Sequence, residues 1–412
     1  MSNNIKIHTL SNGIRVVHKQ VFSTEVSHVG IMLDVGSRDE SYENQGTAHF
    51  WEHMAFKGTK TRNNLQIINY LEVFGGELNA YTTKEKVCFH ASILHNHLEK
   101  ALKLLTDITF NSTFPQKEIE KEKTVILEEM AMYYDSPEDA IQDDFDEILF
   151  PNHSLGMNIL GKQDTVNSVS TESLRNFFEE NIDTHKIVVS VVGKQSHELI
   201  FKMAEKHLSS IPEKKTNRIR TAPIFNKPIE KIVNRHSTQA QVALGRNSFQ
   251  IDHPDRMPFF MLINLLGGPG MNSILNLAVR EKKGLTYQIE ASFTSYIDSG
   301  FWAIYFGTEK KQVNKALKII FQEFDKLRNK CLSVNQLTKV KTQLKGQLAM
   351  AEESNSNFML MMAKTLLDKE KIETLKEVFD RIEGVEPSDI QRLANEMLLE
   401  DQLSRLIFEP QA

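Results

Sequence analysis

A proline-bearing segment near the middle of the chain, Ser209 to Pro228, limits what the sequence can fold into more than any other feature. It carries Pro212, Pro223 and Pro228 together with the basic residues Lys214, Lys215, Arg218 and Arg220. Proline removes a backbone donor and restricts the residue before it, so such a run rarely sits inside a sheet or a helix. A chain of 412 residues also exceeds what one hydrophobic core usually serves. The segment therefore reads as a linker, residues 209–228, between an N-terminal lobe, 1–208, and a C-terminal lobe, 229–412.

The two halves share an order of elements. The first alternates like strands near Ile14–Val17, His28–Leu33 and Val87–Leu94, with helical periodicity around His49, from Leu98 to Thr109 and from Gln116 to Tyr134. A late strand follows at Ile187–Gly193. The second half offers strands near Ile229–Val233, Gln241–Leu244, Thr286–Phe293 and Trp302–Phe306. Its helices run from Met257 to Leu266 and begin again at Val313 and Val334. The tetrapeptide Lys100-Ala101-Leu102-Lys103 recurs as Lys315-Ala316-Leu317-Lys318, an offset of 315 − 100 = 215. Fixed-offset similarity is the mark of duplication. The expectation is an α+β fold of two homologous lobes, each a mainly antiparallel sheet with helices packed on one face.

Composition removes several classes of function. A formal charge of −5 offers no basic footprint for nucleic acid. The longest apolar run, Phe259 to Leu266, is too short to span a membrane and contains Asn264. The first residues, Met1 to Lys6, lack the charged start and apolar core of a signal peptide. Two distant cysteines, Cys88 and Cys331, make no disulfide scaffold. A cytoplasmic protein with a reduced interior is the simplest inference.

The chemistry is concentrated in His49-Phe50-Trp51-Glu52-His53. On a helix, positions i and i+4 share a face, so both imidazoles can reach one ion, with Glu52 beside them. Neutral imidazoles suit zinc, and a catalytic zinc site takes three protein ligands and keeps one position open. The helix beginning at Gln116 supplies Glu118, Glu120, Glu122, Glu128 and Glu129, most of them a solvated face. Glu122 and Glu129 lie seven apart and share a side; spacing alone does not choose the third ligand from this pair.

At this point the sequence resembles the pitrilysin/insulysin family of inverted-motif zinc peptidases, in its mitochondrial-processing-peptidase-like branch. The resemblance is carried by Gly46 through Thr59, by Gly75-Gly76-Glu77-Leu78-Asn79-Ala80-Tyr81-Thr82, by Val125 through Met130, and by Arg280 through Tyr287. It implies one Zn²⁺ per chain on His49, His53 and Glu129, with Glu52 as general base and Glu122 as an assisting carboxylate. It also implies that Asn79, Ala80, Tyr81 and Thr82 form an edge strand that pairs with substrate, and that Arg280 and Tyr287 donate to a substrate carbonyl. Asn79 reads equally as a turn residue after the glycine pair; the lesser alternative for Arg280 and Tyr287 is a salt bridge and a ring packed in a strand.

In the second half the metal positions are gone. An offset of 267 − 58 = 209 sets Pro258, Met261 and Leu262 opposite His49, Glu52 and His53, and an offset of 218 sets Val340 and Gln347 opposite Glu122 and Glu129. That lobe is expected to contribute structure or substrate contacts. His95 and His97 read as surface residues, Phe358 through Met362 as core filling, and Gly267-Gly268-Pro269-Gly270 as a turn lacking the Lys-Ser/Thr ending of a phosphate loop. The resemblance implies an endopeptidase acting on extended peptides in an enclosed chamber, as a self-complementary homodimer or beside a metal-free sister chain. The alternatives are a non-catalytic subunit of a larger assembly and a protease dedicated to one precursor.

Overall fold

The structure, a computed structural model, describes residues 4–411. Met1 to Asn3 of the N-terminal stretch considered above lie outside them. The chain forms two compact units, one from residues up to Glu129, Met157–Arg220 and Met350–Thr374, the other from Met130–Gly156, Thr221–Ala349 and residues from Leu375 onward. The change of unit after Arg220 falls within the expected linker. Two segments depart from the simple division into 1–208 and 229–412: residues 130–156 join the second unit and residues 350–374 the first.

The first unit is built on β1 (Ile5–Thr9), β2 (Arg15–Gln20), β3 (Val26–Leu33), α1 (Thr47–Ala55), α2 (Asn64–Glu72), β4 (Glu77–Thr82), β5 (Val87–Leu94), α3 (Leu98–Phe110) and α4 (Gln116–Tyr134). Next in the chain come α5 (Pro137–Leu149), α6 (Gln163–Ser168), α7 (Thr171–Asn181), β6 (Ile187–Gly193) and α8 (His197–Leu208). Its sheet has the order β1-β2-β6-β3-β5-β4. β6, the apolar run Ile187-Val188-Val189-Ser190-Val191-Val192-Gly193, is buried throughout and sits centrally, as a strand covered on both faces must. It pairs parallel with β2 and antiparallel with β3. β4 forms the far edge, paired only with β5 among the described residues.

The second unit contains β7 (Glu230–Arg235), β8 (Ala240–Asn247), α9 (Arg256–Gly267), β9 (Ile289–Ser295), β10 (Gly300–Thr308), α10 (Val313–Asn329) and α11 (Val334–Glu353), which continues a few residues past the unit's boundary. After α12 (Asn355–Lys369) come α13 (Leu375–Glu383), α14 (Pro387–Met397) and β11 (Ser404–Pro410). Its sheet runs β7-β11-β8-β10-β9, with β7 and β11 parallel and the other pairs antiparallel. With β1 set aside, this is the first sheet's order and its parallel pair in the same place. The lobes are homologous, and the α+β class holds.

The expectation of helices on one face only is corrected. In the first unit α1 lies against the Phe89 side of the sheet, with Trp51 edge-on to Phe89 at 5.7 Å. The opposite side, bearing Val17, Met32, Cys88, Val188 and Val192, is covered by Phe358, Met359, Met362, Ala363 and Leu366 of α12. In the second unit α9, α10 and α14 cover Val242, Leu244, Trp302 and Ile304. The reverse side, with Ala243, Ala303, Leu406 and Phe408, is covered by Ala140, Ile141 and Phe145 of α5. Each sheet thus borrows one helix from the other half of the chain, and the methionine-rich run fills core as expected. Met359 is fully buried, and a side chain at Gly30 would come within 2.8 Å of its sulfur. Met359→Ala is expected to destabilise the chain by about 2–5 kcal/mol in urea denaturation; a loss below about 1 kcal/mol would show that α12 is not part of the core.

Candidate metal centre

Helix α1 divides cleanly by face. At 100° per residue His49, Glu52 and His53 share one arc, while Phe50, Trp51 and Met54 share the other and are fully buried. The helix starts at Gly46, whose φ of 86° favours glycine, and a side chain there would come within 2.6 Å of the Leu160 carbonyl. No side chain at that residue caps the helix. The buried Glu40 carboxylate does so instead, accepting the Gly46 N–H at 2.8 Å and the Ala48 N–H at 2.6 Å.

The polar arc faces α4. Ligand-type atoms of His49, His53 and Glu129 all lie within 4.8 Å of one another. Glu129 Oε2 is 3.8 Å from His49 Nε2 and 3.6 Å from His53 Nε2. These spacings are too long for good hydrogen bonds. They approach the ~3.4 Å expected between two ligand atoms each ~2.1 Å from a shared tetrahedral ion. Glu122, the other carboxylate left open by spacing, sits behind this group. Its Oε1 accepts from His53 Nδ1 at 2.9 Å, and its Oε2 pairs with Lys57 Nζ at 2.6 Å. With Nδ1 protonated toward Glu122, His53 presents an Nε2 lone pair toward Glu129. Burial, then proximity to His53, lowers the His49 pKa to about 3, so its imidazole is neutral at physiological pH. A donor set of two imidazoles and a carboxylate fits zinc.

Glu52 stands apart from the ligand set. Its Oε2 accepts the Thr82 hydroxyl at 2.5 Å, and burial raises its pKa above the ordinary carboxylate value despite that hydrogen bond. Burial would raise Glu122 too, but the bonds from His53 and Lys57 outweigh it and leave its pKa lowered. Thr82 ends β4, whose outer edge is free of other strands among the described residues. Asn79 accepts the Ala80 N–H at 3.0 Å through its side chain, and the Tyr81 ring lies 6.2 Å from that of His90.

Comparison with known proteins gives the family. Residues 15–163 match the family described as insulinase (peptidase family M16), and residues 168–344 match the family described as the peptidase M16 inactive domain. The uncharacterized zinc protease YmxG of Bacillus subtilis is 35% identical over 98% of this chain and 98% of its own. An uncharacterized zinc protease of Rickettsia felis is 31% identical over 99% and 98%. The chain belongs to the M16 (insulinase) peptidase family. Among solved structures, a protease from Helicobacter pylori superposes with a TM-score of 0.91 at 23% identity, covering 98% of this chain and 99% of that one. The fold of this M16 chain is therefore the family fold.

The second lobe of this M16 chain departs from the first at the equivalent positions. Where α1 and α4 bring together imidazoles and carboxylates, α9 and α11 are joined by a hydrogen bond from Asn264 Nδ2 to Gln347 Oε1 at 3.2 Å. Pro258, Met261 and Leu262 are buried and apolar, and Val340 packs against the lobe's core. Arg280 lies in a π-helical turn, Asn276–Glu281, and its guanidinium sits 5.6 Å from the ring of the exposed Tyr287. These two residues meet each other on the second unit.

Two site residues escaped the reading of the sequence. Lys57 lies four positions after His53, a spacing that signals a shared helix face. Glu40 had no sequence signal, because its partners are backbone groups six and eight residues later. Glu40→Ala would strand both N–H groups in a buried site and is expected to cost about 2 kcal/mol or more in denaturant titrations. Glu40→Gln, which keeps one acceptor oxygen, should lose less; equal stabilities for wild type and Glu40→Ala would refute the cap.

Proposed function

We propose that this chain is a zinc-dependent endopeptidase that hydrolyses extended or unfolded peptides. The observation that carries the reading is the convergence of His49, His53 and Glu129 donor atoms within 4.8 Å, with Glu52 beside them and outside the ligand set. In this reading those three residues hold one ion per chain. The chemistry supplied there is Lewis-acid polarisation of a carbonyl and a water whose pKa falls to ~7. Glu52, raised by burial and aimed by Thr82, accepts a proton from the attacking water and returns it to the departing amine. Glu122 keeps the His53 ring in the tautomer that ligation requires.

The substrate class follows from β4. Its unpaired edge, Glu77–Thr82, offers backbone donors and acceptors beside Glu52, and an added strand is bound through its main chain with little demand on side chains. Asn79, Ala80, Tyr81 and Thr82 serve as that edge in the proposal. Arg280 and Tyr287 serve as donors to a substrate carbonyl, supported by their mutual placement and by Tyr287's 82% exposure. The proposal includes a homodimer whose four lobes enclose the peptide. It also places the chain in the cytoplasm, supported by free thiols at Cys88 and Cys331 and by the finding that no described helix is long and apolar enough to cross a membrane.

Metal analysis of the purified chain is expected to give one zinc per chain, and a chelator to abolish cleavage of a quenched peptide blocked at both ends. Glu52→Gln should retain the zinc and lose ~10²–10⁴-fold in kcat; equal activity of variant and wild type would remove Glu52 as the base. Light scattering on eluted protein is expected to report a dimer at micromolar concentration, and monomers alone would remove the self-complementary assembly.

A further inference from the structure

The two imidazoles of the metal centre are held in different ways. His49 is the more buried ring, its side chain 10% exposed, and its Nδ1 lies in the interior without a hydrogen-bond partner among the described residues. Its orientation comes from packing. His53 is 21% exposed and sits in the last turn of α1, where packing constrains a side chain less. What holds His53 is the Glu122 carboxylate, and that carboxylate is itself only 5% exposed.

A buried carboxylate with one neutral partner is poorly defined. It can rotate about its last bond or let its partner ring turn with it. Glu122 is spared both outcomes because its two oxygens are engaged separately, Oε1 by His53 Nδ1 at 2.9 Å and Oε2 by Lys57 Nζ at 2.6 Å. Lys57 is placed for this by the end of the helix. Its backbone N–H donates to the Met54 carbonyl at 3.1 Å, continuing the turn beyond Phe56, so its side chain rises four residues after His53 on the same side. The following Gly58 has a φ of 152° and bridges to Asn63, which turns the chain away and leaves the lysine at the rim, 26% exposed.

We infer that Lys57 is a positioning residue of the metal centre: by clamping Oε2 of Glu122, it holds Oε1 against His53 and so fixes the plane and tautomer of that ligand. The inference rests on the zinc-peptidase reading above. Lys57 touches neither the ion nor the substrate. It acts through Glu122, extending the common pairing of ligand histidine and carboxylate by one cation. The clamp also ties α1 to α4 through a single carboxylate, on the helix that supplies Glu129, so the placement of His53 relative to Glu129 depends on it.

Zinc affinity, measured by competition with a chromophoric chelator, tests this apart from catalysis, and Co²⁺ taken up in place of zinc reports ligand geometry through its visible absorption. Lys57→Met is expected to weaken zinc binding ~10–100-fold and to change the Co²⁺ band, while Lys57→Arg recovers most of the loss. In a Glu122→Gln background Lys57→Met should add less than about twofold, since its target is gone. The inference is overturned if Lys57→Met binds zinc within about twofold of wild type with an unaltered Co²⁺ band, or if its effect persists undiminished beside Glu122→Gln. Should Lys57→Met not fold, Lys57→Gln enters the same cycle; failure of Met, Gln and Arg variants alike to fold would assign Lys57 to stability and overturn the inference. A wild-type chain that binds neither ion overturns the peptidase reading along with this one, whereas wild-type zinc binding beside an unaffected Lys57→Met overturns this one alone.

Discussion

The candidate metal centre depends first on the burial of one face of a nine-residue helix. Phe50, Trp51 and Met54 have no exposure, and Trp51 stands edge-on between Phe89 of the sheet and Phe178 of α7, at 5.7 and 5.6 Å. Each such side chain contributes roughly 1.5–3 kcal/mol on leaving water. An isolated helix this short would be marginal, so packing supplies most of its order. Once the apolar arc is seated, rotation about the helix axis is no longer free, and the opposite arc can only point at α4. The i, i+4 spacing puts two imidazoles on a common side; the tryptophan beneath them decides which way that side faces.

Four glutamates around this helix illustrate how surroundings divide one residue type among several tasks. Glu40 spends both oxygens on backbone N–H groups at the helix start. Glu129 approaches two imidazoles at distances that leave room for an ion. Glu52 and Glu122 are the informative pair, because burial acts on both in the same direction and the outcome differs. Glu52 has a single hydroxyl donor and keeps a raised pKa, which suits a group that must gain and lose a proton. Glu122 has an imidazole and an ammonium, and its lowered pKa keeps it charged, which suits a tether.

The sequence made much of this visible because the decisive contacts are local or periodic. His49, Glu52 and His53 sit within one turn and a half of helix, and Glu122 and Glu129 two turns apart on another; both relations follow from 3.6 residues per turn. The strands Val87–Leu94 and Ile187–Gly193 and the helix Gln116–Tyr134 were legible for the same reason, and the structure has them at those boundaries. The choice of Glu129 over Glu122 as the residue nearer both Nε2 atoms was not, because it turns on the depth of α4 against α1. The short strand β1, with its mostly exposed pattern, and β11, which enters the second sheet between β7 and β8 from the far end of the chain, lacked a distinguishing signal. The exchanged helices were also hidden. Phe358 through Met362 announces burial, but composition cannot say against which of two similar sheets.

That exchange bears on why a lobe without metal ligands persists. In the first unit, α12 is held by more than apolar contact: Ser190 Oγ donates to the Met359 carbonyl at 2.7 Å, and Lys86 bridges Asp34 at 2.8 Å and Asp368 of α12 at 2.9 Å. Arg220 of the linker joins the same cluster through Asp34 at 2.9 Å and Asp39 at 2.7 Å. Buried ionic groups of this kind add little net stability, yet removing one partner leaves an uncompensated charge and costs far more. They therefore penalise alternative pairings, including a helix docked on the wrong sheet. Asp39 directly precedes Glu40, the cap of α1, so the linker, the borrowed helix and α1 meet in one loop. The first unit's sheet is incomplete without α12, which lies in the chain between the second sheet's strands β10 and β11. Loss of the chain's second half would therefore strip the face of that sheet opposite α1, because α12 comes from it.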